Sequence, residues 1–354
     1  MAEQTYKKLV AHLDREGGDF APSTTGADVR LLQRLFTEPE AALALYVTFE
    51  QQDAQSIARR AGLPPAKVEG RLGEMARKGL LFAVYPADGP TRYQIWPFEH
   101  IYESQAHNLT PDLLQAVGEY FSTREKRPGG QSIPALRTIP VGKSLTSRTM
   151  ALPYELVGEL VKNQKHIAIA PCICRTIAGL SGKGCDVPEE SCATFGDFAD
   201  HAIRSGRARR IDQAELADWL IQANALNLVL QPSNSREIGI LCSCCGCCCA
   251  VLRGLKAQDR PADVVASSFI ACYDADACTG CHTCLDRCQM DALSADGEGI
   301  TFDDGRCIGC GLCVSTCPSG ALTLERKPGS EDMHLPVNWV DTWRTARDLQ
   351  AGRG

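Results

Sequence analysis

The chain has 354 residues, enough for about two or three domains with cores of their own. A formal net charge of -6 argues against nonspecific binding of polyanions, and no apolar run reaches the ~18 residues of a membrane-crossing helix. All 19 cysteines fall between Cys172 and Cys317, and the first residues lack the apolar stretch or twin arginine of an export signal. The cysteines are therefore expected to be metal ligands in a reducing cytoplasm, not disulfide partners.

Residues 1–100 hold no cysteine and read as a separate unit. Apolar positions recur at helical spacing over 31–50 (Leu31, Leu32, Leu35, Phe36, then Leu43, Leu45, Tyr46). A short helix is expected over 54–61, a turn at Gly62 and a second helix over 65–78. Pro64 and Pro65 suit a helix start and Gly79 a helix stop. Strands follow at 80–85 and 92–96, joined through Pro86, Asp88, Gly89 and Pro90. Helix, turn, helix and hairpin in this order resemble a winged-helix domain. Over 51–98 seven basic side chains meet four acidic ones, a slender excess for a DNA reader, and Glu69 and Glu74 offset Lys67, Arg71, Arg77 and Lys78. The unit is read as a scaffold for docking or homodimer formation, with a redox-sensing transcription regulator as the rival.

Residues 101–268 read as a helical and α/β domain rich in cysteine. Thr110 and Pro111 open a helix reaching about 121, and 127–144 has the Pro and Gly content of a linker. Its Gly-Lys-Ser lacks the glycine a phosphate loop needs at 137, which is Arg137, and no Gly-x-Gly-x-x-Gly fingerprint follows a strand. A helix over 152–164, with Leu156, Val157, Leu160 and Val161 on its apolar face, leads to a strand at 167–170 that runs into Cys172 and Cys174. Cys185 and Cys192 follow a Gly-rich loop. Helices are expected over 193–205 and 213–225, the second capped by Asp212. A hairpin comes next, whose second strand, 238–241, runs into Cys242, Cys244, Cys245, Cys247, Cys248 and Cys249.

If those two strands lie parallel in one sheet, joined by a helical crossover, both cysteine groups reach the edge at which open sheets hold ligands. Cys172 and Cys174 would then meet the 244–249 group, a soft-ligand site suited to a third iron–sulfur centre. Zinc and redox-active thiols are the alternatives. Ten cysteines exceed the need of one cubane, so two centres, or one centre plus free thiols, stay open. The Cys-Cys-Gly at 244–246 invites comparison with the cluster domain of heterodisulfide reductases, but positions 205–213 lack the upstream cysteine of that pattern. Its disulfide-cleaving activity is not carried over.

Residues 269–326 repeat one spacing, C-x2-C-x2-C-x3-C, at Cys278, Cys281, Cys284 and Cys288 and again at Cys307, Cys310, Cys313 and Cys317. Structural zinc has no use for three evenly spaced thiolates plus a fourth, twice over. The tandem run resembles the bacterial two-cluster ferredoxin, in which the fourth cysteine of each run serves the other cluster. The resemblance implies one [4Fe-4S] centre on Cys278, Cys281, Cys284 and Cys317, and a second on Cys307, Cys310, Cys313 and Cys288. Gly280, Gly309 and Gly311 suit the tight wrapping. Pro318 follows the second run as in that family, whereas Gln289 follows the first. His282 reads as a loop residue and Cys272 has no assignment. Asp274, Asp276, Asp286, Asp291, Asp303 and Asp304 form an acidic surface that is either ordinary solvated surface or a steering field for a basic partner. In 327–354, Trp339 and Trp343 lie at i and i+4 of a short tail helix.

The sequence thus predicts an α+β multidomain fold: a winged-helix-like N-terminal domain, an α/β cysteine-rich middle domain and a ferredoxin-like C-terminal domain. In whole-chain order it resembles a group of anaerobe iron–sulfur proteins with a Cys-x-Cys-Arg and CCxCCC middle. That resemblance implies electron transfer and supplies no substrate, and with the composition it gives the expectation of a cytoplasmic, oxygen-sensitive electron carrier working with a redox partner protein, without membrane insertion. The rival enzyme reading is a reductase with a substrate-binding open iron in the middle domain.

Overall fold

The computed structural model describes residues 2–17, 20–125, 133–145, 151–330 and 335–351, the side chains of 349–351 excepted. It is a mixed α and β structure with small sheets, as the α+β class requires. The chain divides into two compact units. One comprises Met1–Ile133, Asp197–Arg209 and Trp343–Gly354, the other Pro134–Gly196 and Arg210–Thr342. No described helix is long and apolar enough to cross a membrane.

The first unit opens with α1 (Ala2–Gly17), a helix the sequence reading did not single out. The helical spacing over 31–50 resolves into α2 (Ala27–Leu35) and α3 (Glu38–Ala44), because Pro39 can start a helix but not continue one. β1 (Gln52–Asp53), α4 (Ala54–Ala61), α5 (Pro65–Arg77), β2 (Phe82–Val84) and β3 (Arg92–Gln94) follow. Asp53 caps α4 by accepting the Ser56 N–H, and Gly62 ends it in the left-handed region at φ 64°. The three strands form one antiparallel sheet in the order β1-β3-β2. After α6 (Phe98–Glu103) comes α7 (Pro111–Thr123), capped as expected by Thr110, whose Oγ1 accepts the Leu113 N–H at 3.2 Å. Phe20 packs against Phe98 and Tyr120 with ring centroids 4.5 and 4.7 Å away, closing a core to which most of these elements contribute.

The second unit contains every cysteine. After α8 (Val157–Lys162) come β4 (Ile167–Pro171), α9 (Ile173–Leu180) and β5 (Glu190–Phe195), before α10 (Asp197–Arg204), which belongs to the first unit. β6 (Arg209–Arg210), α11 (Gln213–Ala225), β7 (Val229–Pro232) and β8 (Ile240–Cys244) complete a five-stranded sheet of order β6-β4-β5-β8-β7. Two expectations need correction. Residues 193–195, expected to begin a helix, end β5, and helix starts only at Asp197, beyond the left-handed Gly196. Strands β4 and β8 do run parallel in one sheet, but antiparallel β5 lies between them and pairs with both. Asp212 caps α11 as predicted, accepting the Glu215 N–H at 2.8 Å.

The linker-like stretch lies outside the described residues at 127–132. Its described remainder runs beside β7, with bridges Leu136↔Ser233 and Ile139↔Leu230 that cover an otherwise open edge. Gly-Lys-Ser is a single 3-10 turn, Gly142–Ser144. The chain continues through α12 (Ala250–Lys256), α13 (Pro261–Val264), β9 (Phe269–Tyr273), β10 (Leu293–Asp296), β11 (Gly299–Phe302), β12 (Leu322–Arg326) and α14 (Trp339–Ala351). β9 pairs with β12 and β10 with β11, both antiparallel, and the first cysteine run connects β9 to β10 while the second connects β11 to β12. One apolar cluster runs from Ile167, Leu216 and Leu241 to Met290, Ile308 and Leu312. It makes the five-stranded sheet and the cysteine runs share a core.

Candidate metal centres

Around the C-terminal runs, Cys278, Cys281, Cys284 and Cys317 line one cavity together with Tyr273, His282 and Ile300. Burial raises the Cys284 thiol, with the charges of Cys317, Cys281 and Cys278 adding to the effect. The other four group likewise. Burial pushes Cys310 up to about 12, and Cys288 and Cys307 bear on it, as they do on Cys313. The fourth cysteine of each run thus lies with the first three of the other. Each follows a short turn, 283–287 in one run and Val314–Thr316 in the other, with no α-helix between.

Gly280 and Gly309 have φ of +66° and +71°, and a Cβ on either would collide with the carbonyl of Glu298 or Phe269. Only glycine permits this wrapping. Backbone N–H groups point at sulfur: Gly280 at Cys278 (3.5 Å), Ala292 at Cys288 (3.3 Å) and Ala271 at Cys307 (3.4 Å). Four soft donors around a cavity, with N–H groups aimed at them, fit the anionic core of an iron–sulfur cluster. The first quartet is the more open, since Cys281 is exposed, whereas Cys307 and Cys313 of the second are buried. His282 sits in the loop at φ 57° with Nε2 bonded to the Gly299 carbonyl at 2.9 Å. Cys272 lies on β9, outside both quartets, and burial and Glu325 raise its thiol to about 11.

In the middle segment all ten cysteines gather at one edge of the five-stranded sheet. β4 and β8 end there, and antiparallel β5 begins there. Cys192 stands directly opposite Cys242 across the β5–β8 pair, so the two share a face. The nine besides Cys192 fall into two groups. In the first, side chains meet in the order Cys172, Cys174, Cys249, Cys244, Cys242. The second is Cys185, Cys245, Cys247 and Cys248, whose sulfurs all lie within 4.8 Å of one another. Each group has one acidic thiol. Hydrogen bonds from Cys174 and Cys244 bring Cys249 down to about 5. Burial opposes ionisation of Cys245, but the Cys248 N–H and Arg175 outweigh it and bring the thiol to about 7.

Sequence reasoning gave no role to two residues here. Arg175, the arginine of Cys-x-Cys-Arg, is buried and donates to the carbonyls of Ser243 (2.6 Å) and Pro188 (3.2 Å) and to the Ser191 hydroxyl. Burial works against its charge, yet the sulfurs of Cys172, Cys245 and Cys244 beside it hold the proton on more firmly. One fixed cation therefore serves both thiol groups. Gly246 is the second. Its N–H donates to Gln289 Oε1 at 2.6 Å, and a Cβ there would stand 2.5 Å from the Gln289 carbonyl oxygen. Gln289, the residue in place of the usual proline, thus joins the Cys245–Cys247 turn to the backbone next to Cys288. The departure from the family pattern was the one sequence signal for this contact.

No curated protein and no solved structure matches the chain significantly. Residues 277–321, both cysteine runs included, match the 4Fe-4S dicluster domain family, which supports iron–sulfur binding by this C-terminal segment.

Proposed function

We propose that this chain is an electron carrier. Two [4Fe-4S] clusters sit on Cys278, Cys281, Cys284 and Cys317 and on Cys307, Cys310, Cys313 and Cys288. A third iron–sulfur centre draws on Cys172, Cys174, Cys244 and Cys249, with Cys242 and Cys192 beside it. When bound, these groups supply one-electron storage, and the chain sets their spacing, their solvent exposure and the N–H groups that stabilise added charge.

The observation that carries the reading is the Gly246–Gln289 contact. It joins the backbone between Cys245 and Cys247 to the residue beside Cys288, so one hydrogen bond brings the middle-segment turn against the chain of the buried quartet. The electron order is then middle centre, buried quartet, open quartet, redox partner protein. Of the acidic residues near the runs, Asp274 and Asp303 cap local turns and Asp291 pairs with Lys256 at 2.9 Å, which leaves Asp276, Asp286 and Asp304 exposed for steering.

In this reading the first unit is a winged-helix scaffold that offers a docking or homodimer surface, and the protein works in the reducing cytoplasm. The sheet order β1-β3-β2 with α4 and α5 ahead of the hairpin supports the fold. On the candidate recognition helix and its C-cap, Lys78 is engaged by Glu40 at 2.6 Å, which weakens the regulator reading. An anaerobic redox titration followed by electron paramagnetic resonance tests the proposal. It predicts uptake of about three electrons per chain and a reoxidation rate set by an added acceptor protein. Uptake of two electrons or fewer would remove the third centre. Rapid reoxidation by a small molecule alone would favour the reductase.

A further inference from the structure

Four sulfurs of the middle segment sit too close together for a cubane. Cys185 and Cys245 are 3.9 Å apart, Cys185 and Cys248 3.6 Å, and Cys247 and Cys248 3.7 Å. A tetrahedral ion with arms of ~2.3 Å to thiolate sulfur places its four sulfurs ~3.8 Å from one another. A four-iron cubane holds its cysteine sulfurs well beyond that distance, because a core of iron and sulfide lies between them. What sets these four apart is that every sulfur lies within 4.8 Å of the other three, the shape of one tetrahedron, whereas the first group meets only neighbour to neighbour along its row.

We infer that Cys185, Cys245, Cys247 and Cys248 bind a single tetrahedral metal ion, zinc or iron, separate from any cluster. Three ligands come from one turn, Cys245 to Cys248, which needs Gly246 to bring its backbone against Gln289. The fourth arrives from the loop between α9 and β5, at Cys185. The ion would close a loop of roughly sixty residues and tie the β4–β5 connection to the end of β8, a constraint that favours the folded sheet edge. Cys185 and Cys247 are exposed, so an ion can enter from solvent without opening the sheet. Tetrahedral tetrathiolate geometry accepts either ion. With zinc the site is a staple, and with iron it is a further one-electron site.

The test uses the full chain purified without oxygen and measures iron, zinc and acid-labile sulfide together. The unaltered protein should carry about one metal ion per chain in excess of sulfide. Cys185→Ser and Cys247→Ser should each lose that ion and leave sulfide unchanged, and the ion that disappears identifies the metal. X-ray absorption of the unaltered protein for zinc, or Mössbauer spectroscopy for iron, reads the same site without substitution and should show one ion with four sulfur neighbours. Sulfide falling in step with metal in these variants would place a cluster here and overturn the inference. So would unaltered protein with no mononuclear tetrathiolate signal. Loss of sulfide in Cys172→Ser concerns the proposed third cluster and is read independently.

Discussion

Replacing Cys317 with alanine should cost the protein the same cluster as replacing Cys278, and replacing Cys288 should cost it the other. Each single variant is expected to lose about four irons and four sulfides per chain. Double variants separate this crossed wiring from a sequential one. Cys278→Ala with Cys317→Ala should lose no more than either alone, because both changes strike one centre. Cys278→Ala with Cys288→Ala should lose about eight of each, because the changes are independent. If each run held its own cluster, the two results would exchange. The expectation rests on the cavity that places Cys317 with Cys278, Cys281 and Cys284, and on the nearness of Cys288 to Cys307, Cys310 and Cys313.

Gly246→Ala should leave acid-labile sulfide near normal but slow electron exchange between the middle segment and the buried quartet. The added methyl meets the Gln289 carbonyl oxygen at 2.5 Å and Oε1 at 3.0 Å, so the two backbones must part and the 2.6 Å hydrogen bond must lengthen. Overpacking of this kind costs about 1–3 kcal/mol. A tenfold slowing, the equivalent of about 1.4 kcal/mol in a barrier, is the expected scale for internal transfer after flash reduction. Gly254→Ala is the matched control, since a Cβ there meets nothing within 4 Å on α12. Equal rates in both variants would remove the Gly246–Gln289 contact from the electron route.

Much of this arrangement is legible in the residues themselves. Caps and breakers placed α4, α7 and α11 within two residues, because Gly62 ends α4 in the left-handed region and Thr110 and Asp212 bond the first-turn N–H groups of α7 and α11. Two apolar runs ending in cysteines were enough to foresee one thiol-lined sheet edge. The insertion of β5 was not legible, because its apolar residues run on through Gly196 into the amphipathic α10 and read as one helix. Nor was the division of the ten cysteines. Cys242 and Cys244 alternate on a strand and face one way, whereas Cys245 to Cys248 lie in the turn beyond it, and adjacent letters gave no sign of that break. Gln289 shows the opposite case. A departure from the family pattern was visible at once, but its partner Gly246 lies 43 residues away and emerges only in the fold.

The central claim is that the chain carries iron–sulfur centres in both its C-terminal and its middle segments. Iron and acid-labile sulfide per chain, measured on protein purified without oxygen and with zinc read in the same sample, test it most directly. The account predicts about twelve sulfides, with iron equal to sulfide or one in excess. About eight of each, with zinc making up the remainder, would contradict it and leave the middle cysteines as a structural mount for a two-cluster ferredoxin.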